Sequence, residues 1–370
     1  NGYRSTKALN VLQLVTNCKK MVKSPKIKIL NIISGSKYGG AELFFERLAL
    51  SFEKCNEVEQ TVIIRKNRNR SKKLIDGIKK IETINFFHKF NPFCTYKIEK
   101  IIREYKPNIL LSWMNKASST IPNIKINNEV TVGRLGGYYQ IKNYLNCDYL
   151  ITNTADLKQY VISKGWDKNK VEFIPNFVSQ NKFDKTKLKI KKDKTILCMG
   201  RFHPNKAMDI LIKAMPFLPK FRLLIVGEGE LRSKYEILIK KFDLTSRVQI
   251  FGWSDNVSEF LNKCSILVCP SRHEPFGNIV IEGWAHKIPV IVSDVGGPSR
   301  IVKHKFNGIK FEKDNTFDLV SKIKNLNSDK KLERNIVTNG YSVYKKSYSE
   351  EVIVSNYFHF FKRIIKSCAE

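Results

Sequence analysis

Short apolar runs rich in β-branched residues alternate with longer stretches of helical spacing along most of the chain. IKILNII (27–33) opens the series and SGSKYGG follows as a turn-rich loop. AELFFERLALSF then repeats its apolar residues at intervals of three and four. TVIIR, NILLSW, EVTVGR and YLITN continue as short strands, with CTYKIEKIIREYK and ADLKQYVISKGW as helices between them. Strands that are apolar throughout, each followed by a helix, build parallel sheets covered on both faces.

The alternation stops near IPNFV. SQNKFDKTKLKIKKDK (179–194) is polar, basic and without apolar periodicity, as a linker would be. The pattern then restarts with the strands KTILCMG, FRLLIVG, VQIFGW, SILVCPS and IPVIVSD. Helices are predicted from about Lys206, over ELRSKYEILIKKF and around Glu282. The expected class is α/β, with two doubly wound, Rossmann-like units over 24–180 and 194–345 joined by a linker at 181–193. Such sheets bind ligands at the carboxyl ends of their strands. SEEVIVSNYFHFFKRIIKS carries a helical apolar stripe with no strand after it. Residues 346–370 are therefore expected to cross back onto the first domain, a helix confined to the second domain being the alternative. Residues 1–23 read as an extension ahead of the first strand, and Met21 leaves open whether they are native.

Composition narrows the function classes. A chain of 370 residues suits two cores, and an apolar fraction of 42% excludes wholesale disorder. Sixty-six Lys and Arg against 34 Asp and Glu give a formal charge of +32. This favours an anionic partner, although the joint richness in Lys, Ile and Asn is also what AT-rich coding produces. The eight cysteines are scattered, without a C-x-x-C pair, as buried thiols of a reducing compartment. The six histidines do not cluster with them, so no metal site is proposed. No apolar run is long enough to span a membrane, and ALNVLQLV near the start lacks a convincing cleavage site. The expected location is cytoplasmic.

EPFGNIVIE (274–282) holds two carboxylates eight positions apart. Pro275 disfavours helical geometry at Glu274, and Gly277-Asn278 opens a helix that carries Glu282. The backbone N–H groups of Gly277, Asn278 and Ile279 then lie at a helix N-terminus, where phosphate binds readily. A nucleoside diphosphate-sugar, with hydroxyls at both ends and phosphates between, matches that layout. GRFHPNK places Arg201 directly after a strand and Lys206 at a helix start, where both cations can reach a departing diphosphate. VGEGELR and FGW add Gly227 and Gly252 at strand ends, where backbone could approach the nucleotide. Each piece has a bland counterpart: a turn glycine, a solvated helix face, a surface cation. Their order and shared strand-end placement make the joint case.

GRFHPNKAMDILIKA, LLIVGEGELR, VQIFGW, SILVCPSRHEPFGNIVIEGWAHKIPVIVSDVGG and NGIKF together resemble the C-terminal domain of the retaining family 4 glycosyltransferases of GT-B fold. The resemblance covers about residues 194–345, and YGGAELFFERLA is more loosely similar to that family's first strand-end loop and helix. It implies two Rossmann-like domains facing a central cleft. Glu274 is implied at the transferred sugar, Glu282 at the ribose hydroxyls, and Arg201 with Lys206 at the diphosphate. Phe276, Gly277, Asn278, Ile279, Gly227 and Gly252 are expected to line the donor site, and Gly39 and Gly40 to border the acceptor cleft. The chain departs from the family in having Ala207 where a glycine usually follows the lysine. TVGRLGGYY (131–139) also lacks the histidine that many relatives carry. Arg134, Tyr138 and the loop SWMNKAS (112–118) are the candidates for that place.

The activity implied is hexosyl transfer from a nucleotide-sugar to a hydroxyl with retention of configuration. No cofactor is expected, and without a D-x-D motif the diphosphate needs no metal. IRKNRNRSKKLIDGIKK, followed by Phe86, Phe87, Phe90 and Phe93, would suit docking on an anionic inner leaflet. The alternative is core phenylalanines beside a solvated loop. Docking favours a glycolipid or lipopolysaccharide-type acceptor. A same-fold sugar-nucleotide epimerase or phosphorylase is the nearer rival. A nucleic-acid-binding protein is the more distant one, and no signature of such a module is present.

Overall fold

β1 (Ile27–Ile33) is buried along nearly its whole length, so both of its faces must be covered. In the computed structural model, which describes residues 25–35, 39–65, 74–86, 92–178, 194–254 and 257–368, it is a central strand of the first sheet. Its companions are β2 (Val58–Arg65), β3 (Ile81–Ile84), β4 (Ile109–Trp113), β5 (Val130–Leu135), β6 (Tyr149–Thr152) and β7 (Val171–Phe173). They run parallel in the order β3-β2-β1-β4-β5-β6-β7, so the order reverses between β1 and β4. The covering helices are α1 (Gly40–Glu53), α2 (Pro92–Tyr105), α3 (Met114–Ser118) and α4 (Ala155–Ser163).

The second sheet repeats the plan with β8 (Thr195–Met199), β9 (Arg222–Val226), β10 (Val248–Phe251), β11 (Ile266–Cys269), β12 (Val290–Ser293) and β13 (Ile309–Phe311). Its parallel order, β10-β9-β8-β11-β12-β13, reverses between β8 and β11. Around it lie α5 (Met208–Ala214), α6 (Arg232–Lys241), α7 (Val257–Lys263), α8 (Asn278–Ala285), α9 (Gly296–Ile301), α10 (Thr316–Ser328) and α11 (Lys330–Ser347). Ligand crevices of open parallel sheets form at such reversals, because the loops after the two diverging strands splay apart there.

The chain crosses between the sheets twice. Ile174 and Phe177 are buried in the first core and Val178 in the second, so the outward crossing is made within a few residues. The return delivers α12 (Glu350–Ser367), whose Ile353, Tyr357, Phe358, Phe360 and Phe361 complete the first core. Phe52 of α1 meets three of its rings at centroid separations of 5.7–6.2 Å. The amphipathic stripe therefore packs on the first domain.

Part of the basic segment lies outside the described residues, including Lys66, Arg68 and Arg70. So do residues 1–24, 87–91 and the linker over 179–193. The flanking phenylalanines divide between the two readings: Phe86 is core, whereas Phe93 is 79% exposed. No described helix is long and apolar enough to cross a membrane.

Candidate active site

The loop after β8 is held by glycines that make room for it. A Cβ on Gly227 would overlap the Gly200 carbonyl, and one on Gly229 would lie 2.5 Å from the Phe202 carbonyl oxygen. Gly200 N–H donates to Val226 (3.0 Å) and Phe202 N–H to Glu228 (2.8 Å), while the buried Phe202 ring meets Tyr235 at 5.4 Å. The backbone that Gly227 admits in this structure is that of the protein's own turn. Gly252 is exposed at the end of β10, with Glu228 3.0 Å from where a Cβ would stand. The turn delivers Arg201 to the surface, where its guanidinium has no ion-pair partner among the described residues. A 3-10 turn, Pro204–Lys206, follows, and Ala207 adopts φ 50° and ψ 37°. That left-handed conformation explains why glycine is usual there.

The loop after β11 is tied directly to this one. Arg272 and His273 N–H both donate to Asn205 O, at 2.8 and 3.2 Å. The Arg272 guanidinium grips Asp209 with two bonds (3.0 and 2.9 Å), Asp314 at 2.6 Å and the Pro204 carbonyl at 3.0 Å. Burial would raise the Asp209 pKa, but Arg272 prevails and holds it below the usual carboxylate range. On the other side, Gly297 N–H donates to Glu274 O at 2.8 Å, and a Cβ on Gly297 would stand 2.6 Å from Phe276 Cα. The outcome is direct contact between the two loops: the Lys206 ammonium pairs with the Glu274 carboxylate. Against the penalty of burial, Glu274 keeps the Lys206 pKa above its ordinary value. Burial pushes the Cys198 and Cys269 thiols up, so neither competes as an anion for Lys206.

α8 begins at Gly277 (φ 93°), which packs against Pro298. Asn278 and Ile279 are its first residues, with N–H groups that a helix leaves without internal acceptors. Phe276 needs correction, because its ring is 5% exposed in the core and faces Tyr348 at 6.3 Å. Glu282, 7% exposed, lies one turn into the helix and pairs with Arg47 of α1 at 3.2 Å. The Asn278 side chain likewise reaches the first domain, accepting from Asn176 at 2.8 Å.

The first domain has its own crevice at the β1/β4 reversal. A cavity of about 220 Å³ lies among Ser34, Gly35, Glu42, Met114, Asn115, Lys116 and Tyr139. Met114 takes φ 64° at the turn from β4 into α3, a strained choice for a large side chain. Asn115 Oδ1 is buried without a hydrogen-bond partner among the described residues. Burial and the nearby Glu42 raise the Tyr139 pKa, which keeps its hydroxyl protonated. Gly39 precedes α1, and the Glu42 side chain folds back over it, as a third-position glutamate does at a helix start. Gly40 faces Asn278 across the seam, so it borders α8.

Two acceptor candidates are corrected. Arg134 is 1% exposed, donates to Tyr357 and Asn176 at 2.6 Å each, and stacks on Phe44 and Trp113. Its guanidinium braces the first core and the crossing segment. Tyr138 points outward against Tyr160, and its neighbour Tyr139 turns into the cavity. The SWMNKAS loop does line the crevice, through Met114, Asn115 and Lys116. Nothing in the local sequence of Arg47, Asn176, Asp209 or Arg272 marks the distant partner each one meets. Among the described residues no cluster of potential metal ligands occurs.

Residues 179–343 match the family model for glycosyl transferases group 1. The chain is 30% identical to the lipopolysaccharide core biosynthesis glycosyltransferase LpsE of Rhizobium meliloti (strain 1021), over 87% of this chain and 95% of that protein. Its fold is similar to that of a glycosyltransferase from Rickettsia africae ESF-5, with a TM-score of 0.79 and 20% identity over 93% of this chain and all of that one. Anabaena HepE, solved in complex with UDP and glucose, gives a TM-score of 0.77 at 18% identity, over 91% of this chain and 99% of HepE.

Proposed function

The chain belongs to the group 1 glycosyl transferases, and from that premise we propose a retaining enzyme of family 4 that moves a hexosyl unit from a nucleotide-sugar to a hydroxyl of a lipopolysaccharide-core type glycolipid. It is a glycosyltransferase, and its two facing parallel sheets are those of the GT-B fold. The observation that carries the reading is the Lys206–Glu274 pair at the β8/β11 reversal, with the exposed Arg201 on the same loop as Lys206.

In this reading Glu274 meets the transferred sugar, Glu282 the ribose diol, and the N–H groups of Asn278 and Ile279 the diphosphate. Before donor arrives, Lys206 and Glu274 neutralise each other. The incoming diphosphate draws Lys206 away and frees the carboxylate for sugar hydroxyls. The acceptor hydroxyl forms its bond to the anomeric carbon on the face from which the diphosphate departs. As the old C–O bond breaks, the acceptor proton passes to the leaving phosphate oxygen. Arg201 and Lys206 stabilise the charge that develops there, which makes a metal dispensable. The acceptor glycan enters from the first-domain crevice, where Asn115, Lys116 and Tyr139 offer polar groups.

A lipopolysaccharide-type acceptor is supported by the similarity to LpsE. Membrane docking is supported by Phe93 and Tyr96 of α2, 79% and 69% exposed, beside Lys97, Lys100 and Arg103 on the same helix. The test is a thermal-shift screen of UDP-, GDP- and ADP-sugars, then transfer to a bacterial lipid extract in EDTA, with mass spectrometry and NMR of the product. An inverted linkage, or donor turnover that needs no acceptor, would overturn the proposal.

A further inference from the structure

Every donor contact named so far comes from the second domain, yet the carboxylate assigned to the ribose is gripped from the first. Arg47 Nη2 of α1 lies 3.2 Å from Glu282 Oε1, across 235 positions of sequence. The two helices are matched along one face. Gly40 and Arg47 are seven residues, about two turns, apart on α1, and they face Asn278 and Glu282, one turn apart on α8. A Cβ on Gly40 would stand 3.1 Å from Asn278 Nδ2, so a side chain there would crowd the close approach of the helix starts. A second bond, Asn176 Nδ2 to Asn278 Oδ1, fixes the same face, and Arg134 holds Asn176 in turn.

A carboxylate as buried as Glu282 needs a counter-charge or several donors. His286, the residue that caps the C-terminus of α8, is disfavoured as a cation there. Burial lowers its pKa, and its Nδ1 sits 2.9 Å from the Glu282 carbonyl oxygen. Arg47 therefore provides the charge, and it does so at Oε1 alone. Oε2 has no hydrogen-bond partner among the described residues, which leaves it available to a vicinal diol.

Resting on the proposed donor site, we infer that Arg47 is a donor-positioning residue supplied by the opposite domain: it orients Glu282 for the ribose, so recognition of the ribose diol depends on the two domains being closed. The test measures binding of UDP, GDP and ADP, and of their 2′-deoxy counterparts, to the wild-type chain, Arg47→Ala, Arg47→Lys and Glu282→Gln. Wild type should prefer the ribonucleotide by about tenfold, the scale of a lost hydrogen bond to a charged group. Arg47→Ala should lose that preference as Glu282→Gln does, while deoxynucleotide affinity changes little. Arg47→Lys should restore part of it. Melting temperatures check that the variants fold. If Arg47→Ala keeps the wild-type ribo-to-deoxy ratio while Glu282→Gln abolishes it, the inference falls and the donor site stands. A wild-type chain that binds the nucleotides without ribose preference also overturns it, and one that binds none of them removes the donor site itself.

Discussion

Arg201 and Lys206 share a loop but live in different surroundings. Arg201 is exposed and unpaired among the described residues, whereas Lys206 is already neutralised by Glu274. Replacing either by alanine is expected to lower turnover by about two to three decades, the scale of removing one charge-stabilising group. Initial-rate measurements on folded variants decide this, and near-normal transfer by both would remove the assignment. Ala207 gives an opposite expectation. Its left-handed backbone costs about 1–2 kcal/mol relative to glycine, so Ala207→Gly should raise the midpoint of urea unfolding without harming activity. At this scale, sequence spacing predicted which loops meet but not where each side chain turns. Arg134 was a reasonable strand-end candidate. Along a strand, however, successive residues face opposite sides, and this one faces the core rings. Tyr138 and Tyr139 were separable only by knowing which of them the turn after β5 directs inward.

The elements were legible because the physics that builds them is local. β-branched runs bounded by glycine became the strands, and helical apolar spacing became α1, α8 and α12. The contacts that place one loop against another are not local. The Arg272–Asp209 clamp joins residues 63 positions apart, and Gly297 is needed for the Glu274 loop although it lies 23 positions beyond it. Gly297→Ala should therefore cost at least about tenfold in turnover and lower the melting temperature as well, because the methyl meets the backbone of Pro275 and Phe276, and Phe276 is anchored in the core. Kinetics and calorimetry on one preparation separate the two effects. Asp209 sets a pH signature. With its pKa lowered by Arg272, its contribution to stability is complete above the unfolded carboxylate value of about 4 and is lost as pH falls through the folded value. Asp209→Asn should be less stable than wild type at pH 7, with the gap closing below about pH 4 in denaturant titrations.

For the whole molecule, charge and shape act together. The formal charge of +32 favours an anionic surface as partner. Sedimentation with vesicles containing anionic lipid should fall sharply when Arg65, Lys66, Arg68 and Arg70 are reversed in sign, at about 1 kcal/mol per cation near the surface. Binding indifferent to those changes would leave α2 as an ordinary wet helix.

The returning helix has an effect on biosynthesis. Translation proceeds at about 5–20 residues per second, so roughly 10–35 seconds separate completion of β7 from emergence of α12. Throughout that interval the earlier domain waits on the ribosome with Phe52 and its neighbours uncovered, and it can finish folding only after the later one has been made. Growing chains of this enzyme should accordingly be strong clients for chaperones that shelter nascent apolar surface.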